Sequence, residues 1–139
     1  MHEPDMYTSV NSRSAATYQR VGLETSVDGA SAHKLIDLLF DALLQAITQA
    51  TSALAANDIA RKGQQITKAV RILDEGLKPA LNLEQGGDLA RNLHDLYDFC
   101  VRRLTQANLH NDKVALDDVD RVIRPVATGW KEIAAKVPR

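Results

Sequence analysis

One histidine of this 139-residue chain, His94, stands where a side chain could do chemistry, in the middle of a predicted helix. Asp98 follows one helical turn later, so the two side chains could bind a metal ion together. His94 could also accept a phosphoryl group, but Asp95 and Asp98 would repel it. A solvated surface histidine is the better interpretation. The sequence therefore predicts no catalytic residue, no metal ligand and no cofactor.

Two other patterns linked to chemistry are incomplete. Di-iron bundles use Glu-x-x-His pairs, and none of Glu75, Glu84 and Glu132 has a histidine three residues later. The pair Gly86-Gly87 resembles part of a phosphate-binding loop, but no strand precedes it and no lysine-hydroxyl pair follows. These gaps favour a protein that binds rather than an enzyme.

The charge and cysteine content exclude further classes. Seventeen basic and 18 acidic residues give a formal net charge of −1, which disfavours nucleic-acid binding. The one cysteine, Cys100, cannot form an internal disulfide, and it falls on an apolar stripe, where it would fill the core. No signal peptide or stretch of about 20 apolar residues is evident. We expect a cytoplasmic (cytosolic) protein without stable membrane insertion.

The elements that carry these residues are helical. Residues 1–30 are polar and predict a mobile N-terminal arm, whereas residues 31–139 show apolar side chains every three or four residues, the period of one helix face. Four stripes recur: Ile36, Leu39 or Phe40, Leu43, Ile47, Ala50 and Leu54; Ile59, Ile66, Val70, Leu73, Leu77 and Leu81; Leu89, Leu93, Leu96, Cys100, Leu104 and Ala107; and Leu116, Val119, Ile123, Val126, Trp130 and Ile133.

Short polar breaks separate the stripes. Ser31 is suited to cap the first helix, Asn57-Asp58 to start the second, and Asn111-Asp112 to separate the third from the fourth. Such short connections favour antiparallel neighbours, so the sequence predicts an all-α, up-down-up-down four-helix bundle. Pro125 removes a backbone donor inside the fourth helix, which predicts a kink or split there.

Several longer motifs resemble one protein family. They include MYTS at residues 6–9, TYQRV at 17–21, SAHKLIDLLFDALL at 31–44, KG at 62–63, KAVRILDEGL at 68–77, GGDLARNLHDLYDFCVRRLTQANLHND at 86–112 and WKEI at 130–133. Together these motifs resemble the FliS family of flagellar export chaperones, in order and over nearly the whole chain. The resemblance independently implies an antiparallel four-helix bundle.

The resemblance also implies a function. FliS proteins bind the disordered C-terminal segment of flagellin in the cytoplasm, which winds around the bundle as helices and is kept from premature polymerisation. They deliver it to the flagellar type III export gate protein FlhA, and a tyrosine of the N-terminal arm, here Tyr18, contributes to that step. Tyr18 could equally just pack the arm onto the bundle. An alternative from another class is a helical adaptor or regulatory module for a different flagellar or secretion protein.

The chain departs from the family pattern in three places. Ala32 stands where proline is frequent after the first cap, Ala42 stands where glycine is usual, and Pro125 and Gly129 replace residues that suit a helix. The last change adds to the expectation that the fourth helix is interrupted.

Residues that bind a partner are predicted among apolar side chains that lie off the stripes. On this criterion the predicted partner-binding residues are Ile72, Tyr97, Val101 and Leu109. Tyr18 and Val21 are added as residues of the N-terminal arm that could cover the same surface.

Overall fold

Four helices account for most of the residues that the structure describes. The computed structural model describes the backbone of residues 31–136 and the side chains of residues 31–133. The helices are α1 (Ala32–Ala55), α2 (Ile59–Arg71, continued by a π-helical segment Ile72–Leu77), α3 (Gly87–His110) and α4 (Lys113–Lys136). The predicted all-α class is confirmed. The arm predicted for residues 1–30 lies outside the described residues.

The predicted helix ends follow from local hydrogen bonds. The Ser31 hydroxyl accepts a hydrogen bond from the Lys34 N–H at 3.1 Å, and the Asp58 carboxylate accepts one from the Arg61 N–H at 3.1 Å. Each satisfies a backbone donor that the first turn of a helix leaves unpaired. At the end of α3, Asn111 adopts a left-handed conformation (φ 51°), which terminates the helix as asparagine readily does.

The helices form a ring in chain order. Helix α1 packs against α2 and α4, and α3 packs against the same two helices, whereas within the described part of the chain the backbones of diagonal helices lie farther apart. Connections of a few residues make neighbours antiparallel, which confirms the up-down-up-down bundle. The α1–α2 and α3–α4 turns share one end, the turn end. The start of α1 and the end of α4 share the other, the clasped end.

The core consists of the predicted stripes with a few exceptions. Fully buried side chains such as Phe40, Leu43, Ile66, Leu104 and Leu116 fill the centre. Three stripe residues lie instead at helix ends and are exposed: Ile59 (43%), Leu89 (57%) and Ile133 (45%). Periodicity assigned them correctly to a face, but at those positions no neighbouring helix extends far enough to cover them.

Pro125 does not split the last helix. Helix α4 runs as one element from Lys113 to Lys136 with Pro125 inside it, so of the two expected outcomes the split is wrong, and the kink stays a prediction. Proline removes one backbone hydrogen bond. Val119, Ile123 and Ala127 are buried on either side of it, and this packing holds the helix together across the gap.

Helix α1 is long and strongly apolar. Its most apolar 18 residues have a hydropathy of 1.3, so by length and composition it could cross a membrane. A core helix of a globular protein passes the same test. Here α1 contributes Leu35, Ile36, Leu39, Phe40, Leu43 and Ile47 to the shared core.

Candidate partner-binding surface

The clasped end is closed by a reciprocal contact between His33 and Trp130. Their rings stack with centroids 3.9 Å apart and planes 8° from parallel. The indole N–H donates to the His33 carbonyl at 3.0 Å, and His33 Nε2 lies 3.0 Å from the Trp130 carbonyl. Because a carbonyl oxygen only accepts, Nε2 carries the proton. Two motif residues that are 97 positions apart thus join the start of α1 to the end of α4.

Lys131 extends this clasp with two carboxylates of α1. Its ammonium lies 2.6 Å from Asp37 and 3.1 Å from Asp41. The hydrogen bond to Asp37 raises the pKa of Lys131 above its usual 10.5. Asp37 is buried, and Lys131 therefore satisfies a carboxylate that burial would otherwise destabilise.

Lys62 fastens the turn end in a different way. This lysine is only 3% exposed, and its ammonium donates to the Asn108 carbonyl at 2.8 Å and to the Asn111 side-chain oxygen at 2.6 Å. A positive charge at the end of α3 also complements the helix dipole. A Cβ on the next residue, Gly63, would lie 3.7 Å from the Asn108 side chain, so α2 and α3 approach closely here. The KG motif at residues 62–63 is therefore in contact with residues 107–112, the end of the long motif, in the folded protein.

His94 lies near two aspartates, one of which is paired with a lysine. Its Nδ1 is 3.5 Å from Asp95 and 3.8 Å from Asp98, while Lys78 donates to Asp98 at 2.6 Å. That hydrogen bond lowers the pKa of Asp98 and raises the pKa of Lys78. Among the residues the structure describes, no group of three or more His, Cys, Asp or Glu side chains could hold a metal ion.

Cys100 lies in the core, as its position on a stripe predicts. It is fully buried, and burial raises the pKa of its thiol to about 12. A thiol that stays protonated is a poor nucleophile, so Cys100 acts as a small apolar side chain.

The six predicted partner-binding residues separate into three groups. Tyr18 and Val21 lie outside the described residues. Ile72 and Tyr97 are fully buried members of the core, so the inference that they lie off the stripes is wrong. Val101 is half-buried, and Leu109 is 74% exposed beside a depression of about 300 Å³ that Thr105 and Asn108 also line.

The two buried residues have separate explanations. Tyr97 follows Leu93 by four residues and precedes Cys100 by three, so it continues the stripe, whereas the adjacent Leu96 is only half-buried. Ile72 starts the π-helical segment, whose wider turn brings both Ile72 and Leu73 into the core. The spacing around Tyr97 was visible in the sequence, but the π-helical turn was not.

One surface feature is a groove along α4 that the sequence did not indicate. A groove of about 740 Å³ runs along the outer face of α4 and is lined there by Asp117, Asp120, Arg124, Pro125, Thr128 and Gly129. A second groove, of about 400 Å³, shares Asp117, Asp120 and Arg124 and continues between α4 and α1, along Ile47, Thr48 and Thr51. We call the two together the α4 groove. An α-helix with its side chains is about 10–12 Å across. A groove between helices is a common binding site for a partner helix.

Exposed apolar side chains lie at both ends of the bundle, with Leu83, Leu89 and Ile133 at the clasped end and three more at the turn end. Ile59, Leu109 and Val114 are 43%, 74% and 62% exposed, and all three lie within two helical turns of an interhelical connection. Of these, only Leu109 was predicted as a surface residue. Apolar side chains that stay in water at one end of a bundle are available to a partner.

Comparisons with known proteins agree with this architecture. The model of a family described as flagellar protein FliS matches residues 14–137. The chain is 41% identical over 131 residues to the flagellar secretion chaperone FliS of Salmonella typhimurium, covering 94% of this chain and 95% of that protein. It is 41% identical over 117 residues to the flagellar secretion chaperone FliSB of Pseudomonas aeruginosa, covering 84% and 92%.

A more distant relative and a solved structure extend the comparison. The flagellar secretion chaperone FliS of Bacillus subtilis is 31% identical over 109 residues, covering 78% of this chain and 80% of that protein. A crystal structure described as a flagellar chaperone from bacteria superposes with a TM-score of 0.70 at 17% identity, covering 88% of this chain and 98% of that one. The structural similarity shows a shared fold.

Proposed function

The chain belongs to the FliS family of flagellar secretion chaperones, and from this premise we propose that its client is the disordered C-terminal segment of flagellin. In this proposal the protein binds that segment in the cytoplasm, prevents premature polymerisation and delivers it to the flagellar type III export gate. It does so by binding alone, without catalysis. The observation that carries the proposal is the 41% identity to a flagellar secretion chaperone over 94% of the chain.

We propose the α4 groove as the binding site of the client. Its floor combines Pro125 with small polar side chains such as Thr51 and Thr128, and the charged side chains of Asp120 and Arg124 line it as well. A segment that polymerises by pairing apolar helix faces loses that ability when the same faces lie in another bundle's groove. An amphipathic helix of flagellin would present its apolar side to this floor.

A second contact area at Leu109 supports a client that wraps around the bundle. The α4 groove borders α1, whereas the Leu109 depression lies where α3 approaches α2, on a different side of the molecule. Ordering a disordered segment costs several kcal/mol, and contact with two sides provides more buried area to offset it. One extended segment can reach both sides, which a compact partner cannot.

Delivery to the export gate would follow binding of the client. We propose FlhA as the gate protein and Tyr18 as the arm residue that contributes to the encounter. The test is titration of the chaperone–flagellin complex with the cytoplasmic domain of FlhA, using wild type and Tyr18→Ala. Equal affinities for the two complexes would remove Tyr18 from the gate step.

The client proposal is tested by calorimetric titration with a peptide of the C-terminal flagellin segment from the same organism. The variant Thr128→Arg places a large side chain in the α4 groove without touching the core, since Thr128 is exposed. Gln64→Arg is the matched control because Gln64 lies on α2, partly exposed, and introduces the same side chain away from the groove. We expect tight wild-type binding with a large negative heat-capacity change.

The outcomes separate the parts of the proposal. At least tenfold weaker binding by Thr128→Arg, with Gln64→Arg unchanged, supports the α4 groove. Equal binding by all three proteins would mean that the client lies elsewhere on the bundle. No binding by folded wild type would remove flagellin as the client and favour the adaptor alternative, for which another flagellar or secretion protein would be the ligand.

A further inference from the structure

The last turn of α3 carries Leu109 between two groups that Lys62 holds. The carbonyl of Asn108 belongs to the planar peptide group that joins Asn108 to Leu109, and it accepts a hydrogen bond from the Lys62 ammonium at 2.8 Å. The same ammonium donates to the side-chain oxygen of Asn111, two residues beyond Leu109, at 2.6 Å. Lys62 therefore fixes the chain directly before Leu109 and shortly after it.

These hydrogen bonds matter because the end of a helix leaves backbone groups unpaired. The last four carbonyls of an α-helix lack donors within the helix. Two backbone N–H groups that follow α3 satisfy the carbonyl of Ala107, and Lys62 satisfies the next one, that of Asn108. The Leu109 side chain is 74% exposed, so its own packing contributes little to the order of this turn. Helix ends without such contacts fray.

Lys62 is a rigid support for this turn. It is only 3% exposed and lies one turn before Ile66, on the face of α2 that is buried. A buried ammonium without hydrogen-bond acceptors is strongly destabilised, so Lys62 keeps its two acceptors in place. A helix anchored in the core thereby determines the position of an exposed residue on another helix.

We propose that Lys62 positions Leu109 for the bound flagellin segment. Lys62 is too buried to touch the client, but the peptide group that it holds carries a side chain that lines the Leu109 depression together with Thr105 and Asn108. A side chain whose backbone is already ordered loses less conformational freedom on binding, and this increases the affinity. This inference rests on the proposed function, since it assigns a positioning residue to the second contact area of the same client.

The test is a double-mutant cycle of client binding. Wild type, Leu109→Ser, Lys62→Met and the double variant are each titrated calorimetrically with the C-terminal flagellin peptide. We expect Leu109→Ser to weaken binding about three- to tenfold in wild type, the range for one ordered side chain, but less than about twofold in Lys62→Met. Such non-additivity means that the two changes remove the same contribution.

Two control backgrounds separate positioning from a general loss of stability. Arg61→Met makes the same change at the exposed neighbour, and Trp130→Ala weakens the opposite end of the bundle. Leu109→Ser should keep its full effect on binding in both. Amide hydrogen exchange followed by NMR should become faster at Leu109 and His110 in Lys62→Met, because the last turn of α3 then opens more often, and should not change in Arg61→Met.

A milder variant decides the question if Lys62→Met does not fold. Asn111→Gly removes one acceptor of Lys62 but keeps the left-handed conformation (φ 51°), which glycine adopts without strain. The effect of Leu109→Ser on binding should be smaller in Asn111→Gly than in wild type. Effects of the same size in the two proteins would overturn the positioning role.

The remaining outcomes distinguish this inference from the proposed function. Wild type that binds, with a Leu109→Ser effect that is absent or is equally large in Lys62→Met, would overturn the positioning role and leave the chaperone function standing. A reduced effect in Trp130→Ala would overturn it as well, because stability rather than position would then set the contribution of Leu109. Failure of folded wild type to bind would instead count against the proposed client, and the positioning role would fall with it.

Discussion

The two ends of the bundle are closed by different kinds of contact. At the clasped end, Trp130 and Lys131 cover the start of α1 with a ring stack, two hydrogen bonds and two ion pairs. At the turn end, the buried Lys62 joins α2 to the end of α3 through hydrogen bonds from its ammonium. Both ends leave apolar side chains in water, such as Leu109 at the turn end and Leu89 at the clasped end. Residues of the same sequence motifs thus hold the bundle together and remain exposed to a partner.

Of the changes at the two ends of the bundle, removal of Trp130 should have the largest effect on stability. The change Trp130→Ala deletes the stack on His33 and the donor to its carbonyl, and we expect it to cost about 2–4 kcal/mol. Urea unfolding followed by circular dichroism measures the change. Ile133→Ala, one turn later and 45% exposed, is the control and should cost less than about 1 kcal/mol. Equal costs for the two variants would mean that the clasped end is not closed by Trp130.

Lys62→Met should have an intermediate effect at the turn end. Methionine keeps the length of the apolar stem but leaves the Asn108 carbonyl without its donor, at an expected cost of about 1–3 kcal/mol. The same unfolding experiment applies, with the exposed neighbour Arg61→Met as control. Unchanged or increased stability would show that desolvation of the buried ammonium outweighs its hydrogen bonds.

Lys131 should make the clasped end sensitive to alkali. Because Asp37 raises the pKa of Lys131 in the folded state, the stabilisation is complete below the usual value of 10.5 and is lost as the pH rises through the higher folded value. The unfolding temperature, measured from about pH 9 to about pH 12, should therefore fall more steeply with pH for wild type than for Lys131→Met. Lys78 shifts in the same direction but is present in both proteins, so the difference reports Lys131. If the unfolding temperatures of the two proteins fell equally with pH, Lys131 would not be the source of the sensitivity to alkali.

Leu109→Ser should have the smallest effect on stability and a visible one on binding. Leu109 is 74% exposed, so the free energy of unfolding should change by less than about 0.5 kcal/mol. If the Leu109 depression contacts the client, affinity for the flagellin peptide falls. Leu104→Ala, buried in the same helix, should instead cost about 2–5 kcal/mol. A large loss of stability for Leu109→Ser would mean that this side chain packs against the protein.

The sequence by itself determined the helices and most of the core. Ser31 and Asp58 begin helices because their side chains cap nearby N–H groups, and the stripe through Leu93, Cys100 and Leu104 is buried because one helix face must leave water. These properties depend on residues a few positions apart. The motifs, read in order along the chain, were also enough to indicate its family.

Only the tertiary structure decided which apolar and polar side chains meet a neighbour. Leu109 and Ile59 stay in water because helices end beside them, and Ile72 is buried because a π-helical turn widens the covered face. The contact of His33 with Trp130, 97 residues apart, and the α4 groove depend on how whole helices lie together. Local spacing cannot specify such contacts, because the distance between two side chains on different helices is set by packing rather than by their positions along the chain.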